Sequence, residues 1–265
     1  MRRFAMKTLA IAVTALFVSA GAAVGQDNNA DVDQEGDNLT AEVAQPGADN
    51  RASVDQFNDN TGPEEALIRQ AGNHNRAVIE QSQTGSGGVT PPLDATIRQA
   101  GNHNVASQSQ SAGAFSQSQT SLAVQSGNHN RSNQVITNGY NVDQTVRQSG
   151  NRNVARQTSG GGYLTATINS SGNWNRAVQE QSGTEMTATI RQPGSHNVAR
   201  QTQSYSGSLT DPFNTALIAQ PGSHNRAIQT QTGNGLESTI RQLGNNNVAN
   251  TMQVGSNDTA TITQD

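Results

Sequence analysis

The sequence predicts an all-β fold, a β-solenoid of about ten strand–turn–strand layers stacked in amyloid-like cross-β fashion. The first observation behind this is a repeat. Residues Thr187 to Gln203, TATIRQPGSHNVARQTQ, fit the frame Φ-x-Q-x-G-x-x-N-x-A-x-x-x-Q, with Φ apolar. The frame starts at Val43, Ile68, Ile97, Ala123, Val146, Ile168, Ile190, Ile218 and Ile240, and a truncated copy starts at Ile262. From Val146 to Ile190 and from Ile218 to Ile262 the step is 22 residues, and self-similarity at such a period marks a stacked repeat architecture. The second observation is composition. Aromatics make up 3% and apolar residues 32% of the chain, too few for an ordinary globular core, so order has to come from backbone pairing and side-chain ladders. The third is alternation. Ala188, Ile190 and Gln192 share one parity, as do Asn197, Ala199, Gln201 and Gln203. Period two places each set on one side of a strand.

Taken in order, the chain opens with MRRFAMKTLAIAVTALFVSAGAAVG, which reads as a signal peptide over residues 1–25. Arg2, Arg3 and Lys7 form its basic start, Leu9 to Val18 its apolar run, and Ala23-Val24-Gly25 a cleavage site before Gln26. The apolar run is too short for a membrane anchor. Removing the segment takes away three positive charges and no acid, moving the formal charge from −4 to −7. A net acidic chain with no basic stripe excludes nucleic acid as an expected partner, and no later segment is apolar enough to insert in a membrane. There is no cysteine, so no disulfide contributes.

Residues 26–65 read as an acidic N-terminal segment carrying the first, irregular half-repeats; residues 66–265 read as the regular solenoid. Eleven of the twenty acids lie between Asp27 and Glu65. Here the shorter beat shows: Val32-x-Gln34-x-Gly36, Val43-x-Gln45-x-Gly47 and Val54-x-Gln56 are spaced by eleven residues. Each repeat is therefore two strand–turn pieces. The turn falls at Gln-x-Gly-x-x-Asn, where Gly permits positive φ and Asn tolerates it. Pro46, Pro193 and Pro221 sit at its corner, and Pro63, Pro91, Pro92 and Pro212 fall in loops, so no proline interrupts a strand. The long connectors Phe57–Glu65, Gln83–Asp94, Ser111–Thr120 and Ser204–Asn214 all follow the second strand of a repeat. That predicts one variable rim and one invariant one.

Arginine placement predicts that successive repeats are adjacent layers. After the apolar residue, Arg98, Arg147, Arg191 and Arg241 occur in alternate repeats, with Arg69 the exception. After the Asn, Arg76, Arg131, Arg176 and Arg226 alternate with Val105, Val154, Val198 and Val248. At ~4.8 Å layer spacing, a column of unbroken like charge would repel itself.

The motif Gln-x-Gly-x-x-Asn-x-Ala-x-x-x-Gln, repeated from residue 43 to 253, resembles the curlin family of secreted curli subunits. The resemblance implies a solenoid that exits through an outer-membrane export pore with secretion chaperones. It further implies polymerisation, end to end with itself and with other curlin-like subunits, into extracellular, cell-surface-attached amyloid fibres of the biofilm matrix, serving adhesion and aggregation. The inward ladder positions of the family fall on Gln70, Asn75, Gln81, Gln99, Asn104, Gln110, Gln148, Asn153, Asn175 and Gln181. They continue at Gln192, Asn197, Gln203, Gln220, Asn225, Gln231, Gln242, Asn247 and Gln253. The dry interior beside them is assigned to Ile68, Ile97, Val146, Ile168, Ile190, Ile218, Ile240 and Ile262. Stacked identical amides satisfy one another, which removes the cost of burying them. Three departures stand out. The family's Ser, six residues before the first Gln, is replaced by Leu93, Val142, Leu164, Met186 and Leu236; Ser170 replaces one Gln; and Ala123 with Ser132 weakens one repeat.

Chemistry is otherwise sparse. His74, His103, His129, His196 and His224 all precede the motif Asn, in a column broken by Arg152, Trp174 and Asn246 and accompanied by no carboxylate. They read as solvated turn residues, not as metal ligands. Acids beyond residue 65 are scattered and do not recur in register, so the chain is read as no enzyme, with no metal or cofactor. Two alternatives to a fibre subunit are a fibre nucleator or cap, and a monomeric solenoid binding ice or polysaccharide through the Thr165/Thr167, Thr187/Thr189 and Thr259/Thr261 pairs.

Overall fold

A computed structural model describes residues 27–59, 62–84, 92–113, 118–205 and 213–265. The signal segment of residues 1–25 lies outside the described residues. Two parallel faces of ten strand segments each wind around one interior. The first face carries the Φ-x-Q segments. It holds β2 (Leu39–Ala44), β4 (Glu64–Ala71), β6 (Leu93–Ala100), β8 (Gln119–Asn128), β13 (Asn214–Ala219), β15 (Glu237–Gln242) and β17 (Thr259–Gln264). The second face carries the N-x-A-x-x-x-Q segments: β1 (Asn29–Gly36), β3 (Arg51–Asn58), β5 (Arg76–Gln83), β7 (Val105–Ala112), β12 (Val198–Ser204), β14 (Arg226–Asn234) and β16 (Val248–Ser256). Three longer strands, β9 (Arg131–Asn151), β10 (Val154–Ser171) and β11 (Arg176–Gln192), turn the corner and contribute to both faces. Every pairing is parallel and joins one layer to the next. The frame therefore makes nine full turns, with a half turn, β1 or β17, at each end.

Register follows the motif. Ile168 opposes Ile190, Ile190 opposes Ile218, and Ile218 opposes Ile240. The same columns begin in the acidic segment. Val32 pairs with Val54 and Val54 with Ile79, while Val43 pairs with Ile68. No architectural boundary falls at residue 65/66, because β4 runs across it. Acidity there is confined to outward positions, except at Glu64.

The interior is a strip of aliphatics flanked by amides. Ile68, Ile97, Ile168, Ile190, Ile218 and Ile240 are fully buried against Ala77, Ala106, Ala155, Ala177, Ala199 and Ala227 of the opposite face. Val146 is equally buried, and Ile262 in the last half turn is partly covered. The residues that replace the family's Ser form a second apolar cluster: Val142, Leu164 and Met186 pack with Ile136. At this level Ile136 interrupts the facing amide column.

The invariant rim turns differently from the expectation. The residue at positive φ is not the motif Asn but the one before it. His74, His103, His129, Arg152, Trp174, His196, His224 and Asn246 all lie at φ 56–60°. Asn is instead inward and extended, because its side chain is needed inside. Gly is demanded by stacking as much as by φ: a Cβ on Gly194, which is not left-handed, would stand 2.0 Å from the Gly222 carbonyl oxygen.

Candidate self-assembly site

From Asn75 to Asn225, the Asn of each Gly-x-x-Asn turn bridges layers in two ways. Asn75 Nδ2 donates to the carbonyl of Gly101 in the next layer (2.8 Å), and its Oδ1 accepts from the Asn104 backbone N–H (2.9 Å). The pattern recurs at Asn104, Asn130, Asn153, Asn175, Asn197 and Asn225. It holds the turns in register, because a slip by one residue would orphan both groups.

Gln columns run alongside. The first joins Gln45, Gln70, Gln99, Gln125 and Gln148 by Nε2–Oε1 bonds of 2.8 Å. It breaks at Ser170, whose hydroxyl donates to Gln192, and resumes through Gln220 and Gln242 to Gln264. The second joins Gln34, Gln56, Gln81 and Gln110, is interrupted at Ile136 and Ser159, and resumes through Gln181, Gln203, Gln231 and Gln253. A third was not among the assigned ladder positions. Gln108, Gln134, Gln157, Gln179, Gln201 and Gln229 link at 2.8–2.9 Å and bridge the level where the other two break. Its column starts with Val32, Val54 and Ile79, so the Gln was hidden by an apolar beginning. In all three columns the rung points one way: Nε2 donates toward the C-terminal end.

Outside this rim the left-handed residues form a visible column. His74 stacks on His103 (4.8 Å between ring centroids) and His103 on His129 (4.9 Å); His196 stacks on His224 (4.7 Å). Arg152 lies 4.5 Å over the Trp174 ring. A carboxylate does accompany the column: Asp49 occupies the same turn position one layer earlier, with Oδ2 3.4 Å from His74 Nε2. Among the described residues, no three His, Asp or Glu side chains converge on a point that could hold a metal ion.

The two ends are unlike the middle. Among the described residues, β1 and β2 have partners on one side only, as do β16 and β17. In the last full turn Asn247 Nδ2 is shielded from solvent and has no hydrogen-bond partner among the described residues. These features define a class, a parallel β-solenoid held by internal amide ladders, with an unpaired strand edge at each end of its described residues. The curlin associated repeat matches residues 25–57 and 214–244, the first turn and one near the C terminus. Two stretches of this chain are therefore similar to the curlin associated repeat. No curated protein matches the chain.

Proposed function

We propose that this chain is a secreted structural subunit that adds end to end to curli-type amyloid fibres of a biofilm matrix. The observation that carries the reading is the match between the two open ends. Continuing the internal register sets Asn247, Ala249 and Gln253 of the last turn against Asn28, Ala30 and Gln34 of a second copy. Ala260, Ile262 and Gln264 meet Ala41, Val43 and Gln45. Thr251, which closes the third Gln column, meets Val32, where that column is apolar. The Gln253 and Gln264 donors, directed along the axis, meet acceptors of the right polarity in Gln34 and Gln45. Strand addition at an open edge is a general mode of polypeptide recognition. A capping role fits less well, because a cap would close the edge with charge or proline and here Ile240 to Gln253 stay close to the motif.

The test is seeded growth. The chain from Gln26, diluted from denaturant, should convert to dye-binding fibres after a lag that preformed fibres abolish, with reflections near ~4.7 and ~10 Å. A folded, β-rich chain that stays monomeric with seeds present would refute the reading.

A further inference from the structure

Outward charges on the second face are sorted along the axis. Its first three layers, β1, β3 and β5, present Asp31, Asp33, Glu35, Asp55 and Glu80 against only Arg51 and Arg76. The five layers from the start of β9 to β14 present Arg131, Arg156, Arg176, Arg200 and Arg226 against only Glu180. That acid is engaged already, 3.0 Å from Arg200. The other four arginines have no carboxylate within ion-pair distance among the described residues. Arg156, Arg176, Arg200 and Arg226 surround Val178, Val198 and Ile228 over a shallow concavity of ≈ 400 Å³. The first face shows no such sorting: Glu42, Glu65, Asp94, Asp143 and Glu237 are interleaved with its arginines along the whole length.

We propose that the second face is a side-by-side docking surface for a second copy of this chain, running antiparallel. A two-fold axis lying in the interface, perpendicular to the solenoid axis, brings the acidic band of each copy onto the arginine band of the other, so one rotation satisfies both. Centring the bands on each other overlaps eight layers, which covers about 900 Å² per copy at the usual strand spacing and rise. A standard-size interface buries about 800 Å² on each side. The aliphatics between the arginines supply the apolar part. The contact is lateral, independent of the axial ends, and holds for single folded chains and for filaments alike.

Charge reversal tests it. One variant carries Arg156→Glu, Arg176→Glu and Arg200→Glu, the three arginine layers that face the acidic band; the other carries Asp31→Lys, Asp33→Lys and Glu35→Lys. Wild-type filaments should bundle and pellet at about 10 mM salt and disperse at about 1 M, across which the screening length falls from about 30 Å to about 3 Å. Each variant alone should grow from its own seeds yet stay dispersed, and the two mixed should bundle again. If the chain forms no filaments, the fibre reading fails, and sedimentation of the folded chain reads the same contact as a salt-sensitive dimer that each variant loses and the mixture restores. Bundling of either variant alone at the wild-type level would overturn the proposal. So would wild-type bundling that appears only when polyphosphate is added, which would assign the arginine band to a polyanion.

Discussion

Glu64 occupies the column of Leu39 and Leu93 and is as buried as they are, with neither carboxylate oxygen partnered. Burial pushes its pKa from the ordinary 4.5 up to about 8. The folded state thus holds the proton more tightly than the unfolded one. Its stability is greatest below about pH 4.5, declines as pH climbs toward about 8, and beyond that the layer carries a buried anion. Glu64→Leu should leave the denaturation midpoint unchanged at pH 4 and raise it clearly at pH 8.5; equal midpoints at both would contradict the account. Nothing in the sequence exposed this residue. It lies where a variable loop meets a strand, inside a run of eleven acids that are otherwise outward. The motif Asn and the first and last Gln of each repeat were legible, because each recurs at a fixed offset from an apolar residue and a Gly. The left-handed turn residue was not, since His, Arg, Trp and Asn share no side-chain signature there. What they share is a backbone conformation that Asn and His tolerate better than most.

At the scale of the element, the amide columns explain why insertions cluster on one rim. The Gly-x-x-Asn rim is cross-linked at every layer by Asn, and extra residues there would orphan two hydrogen bonds per layer. On the other rim such a bridge does not recur layer after layer: Asn214, which donates to the Gly233 carbonyl and accepts from the Leu236 N–H, makes it at one level, so loops can enter elsewhere. The third Gln column should matter most where it stands alone. Gln157→Ala, at the level where Ser159 and Ser170 interrupt the other two, strips partners from Gln134 and Gln179 and should cost about 1–3 kcal/mol, read from urea unfolding. Gln203→Ala, beside two intact columns, should cost less. Spacing alone could not reveal the third column, because its first three layers are Val32, Val54 and Ile79. Only the strand pairing shows that these positions and the later glutamines are one line. A second element-scale outcome concerns Asp258, which lies in line with Leu236 and would face Leu39 of an added copy. Asp258→Leu removes that one mismatch and should speed seeded elongation several-fold; a slower rate would show that this position is not in the axial contact.

For the whole molecule, the repeat count, the parallel winding and the position of the variable rim all followed from period and parity. The division at residue 65/66 did not survive. Charge at outward positions leaves the inward pattern untouched: β1 keeps register with β3, β3 with β5, and β2 with β4. The sorting of charge along one face needed the layer order before it could be seen at all.

The central claim is that the last turn of one copy continues into the first turn of the next in a single register. It can be tested directly because the chain has no cysteine. Asn29 and Val248 are outward and exposed and would lie in adjacent layers across the junction, ~4.8 Å apart, within disulfide reach. A chain carrying Asn29→Cys and Val248→Cys, polymerised and mildly oxidised, should give a ladder of covalent multimers on a non-reducing denaturing gel. Shifting one partner to Asp31→Cys should abolish most of it. Equal cross-linking in both chains, or none in the first, would contradict the account.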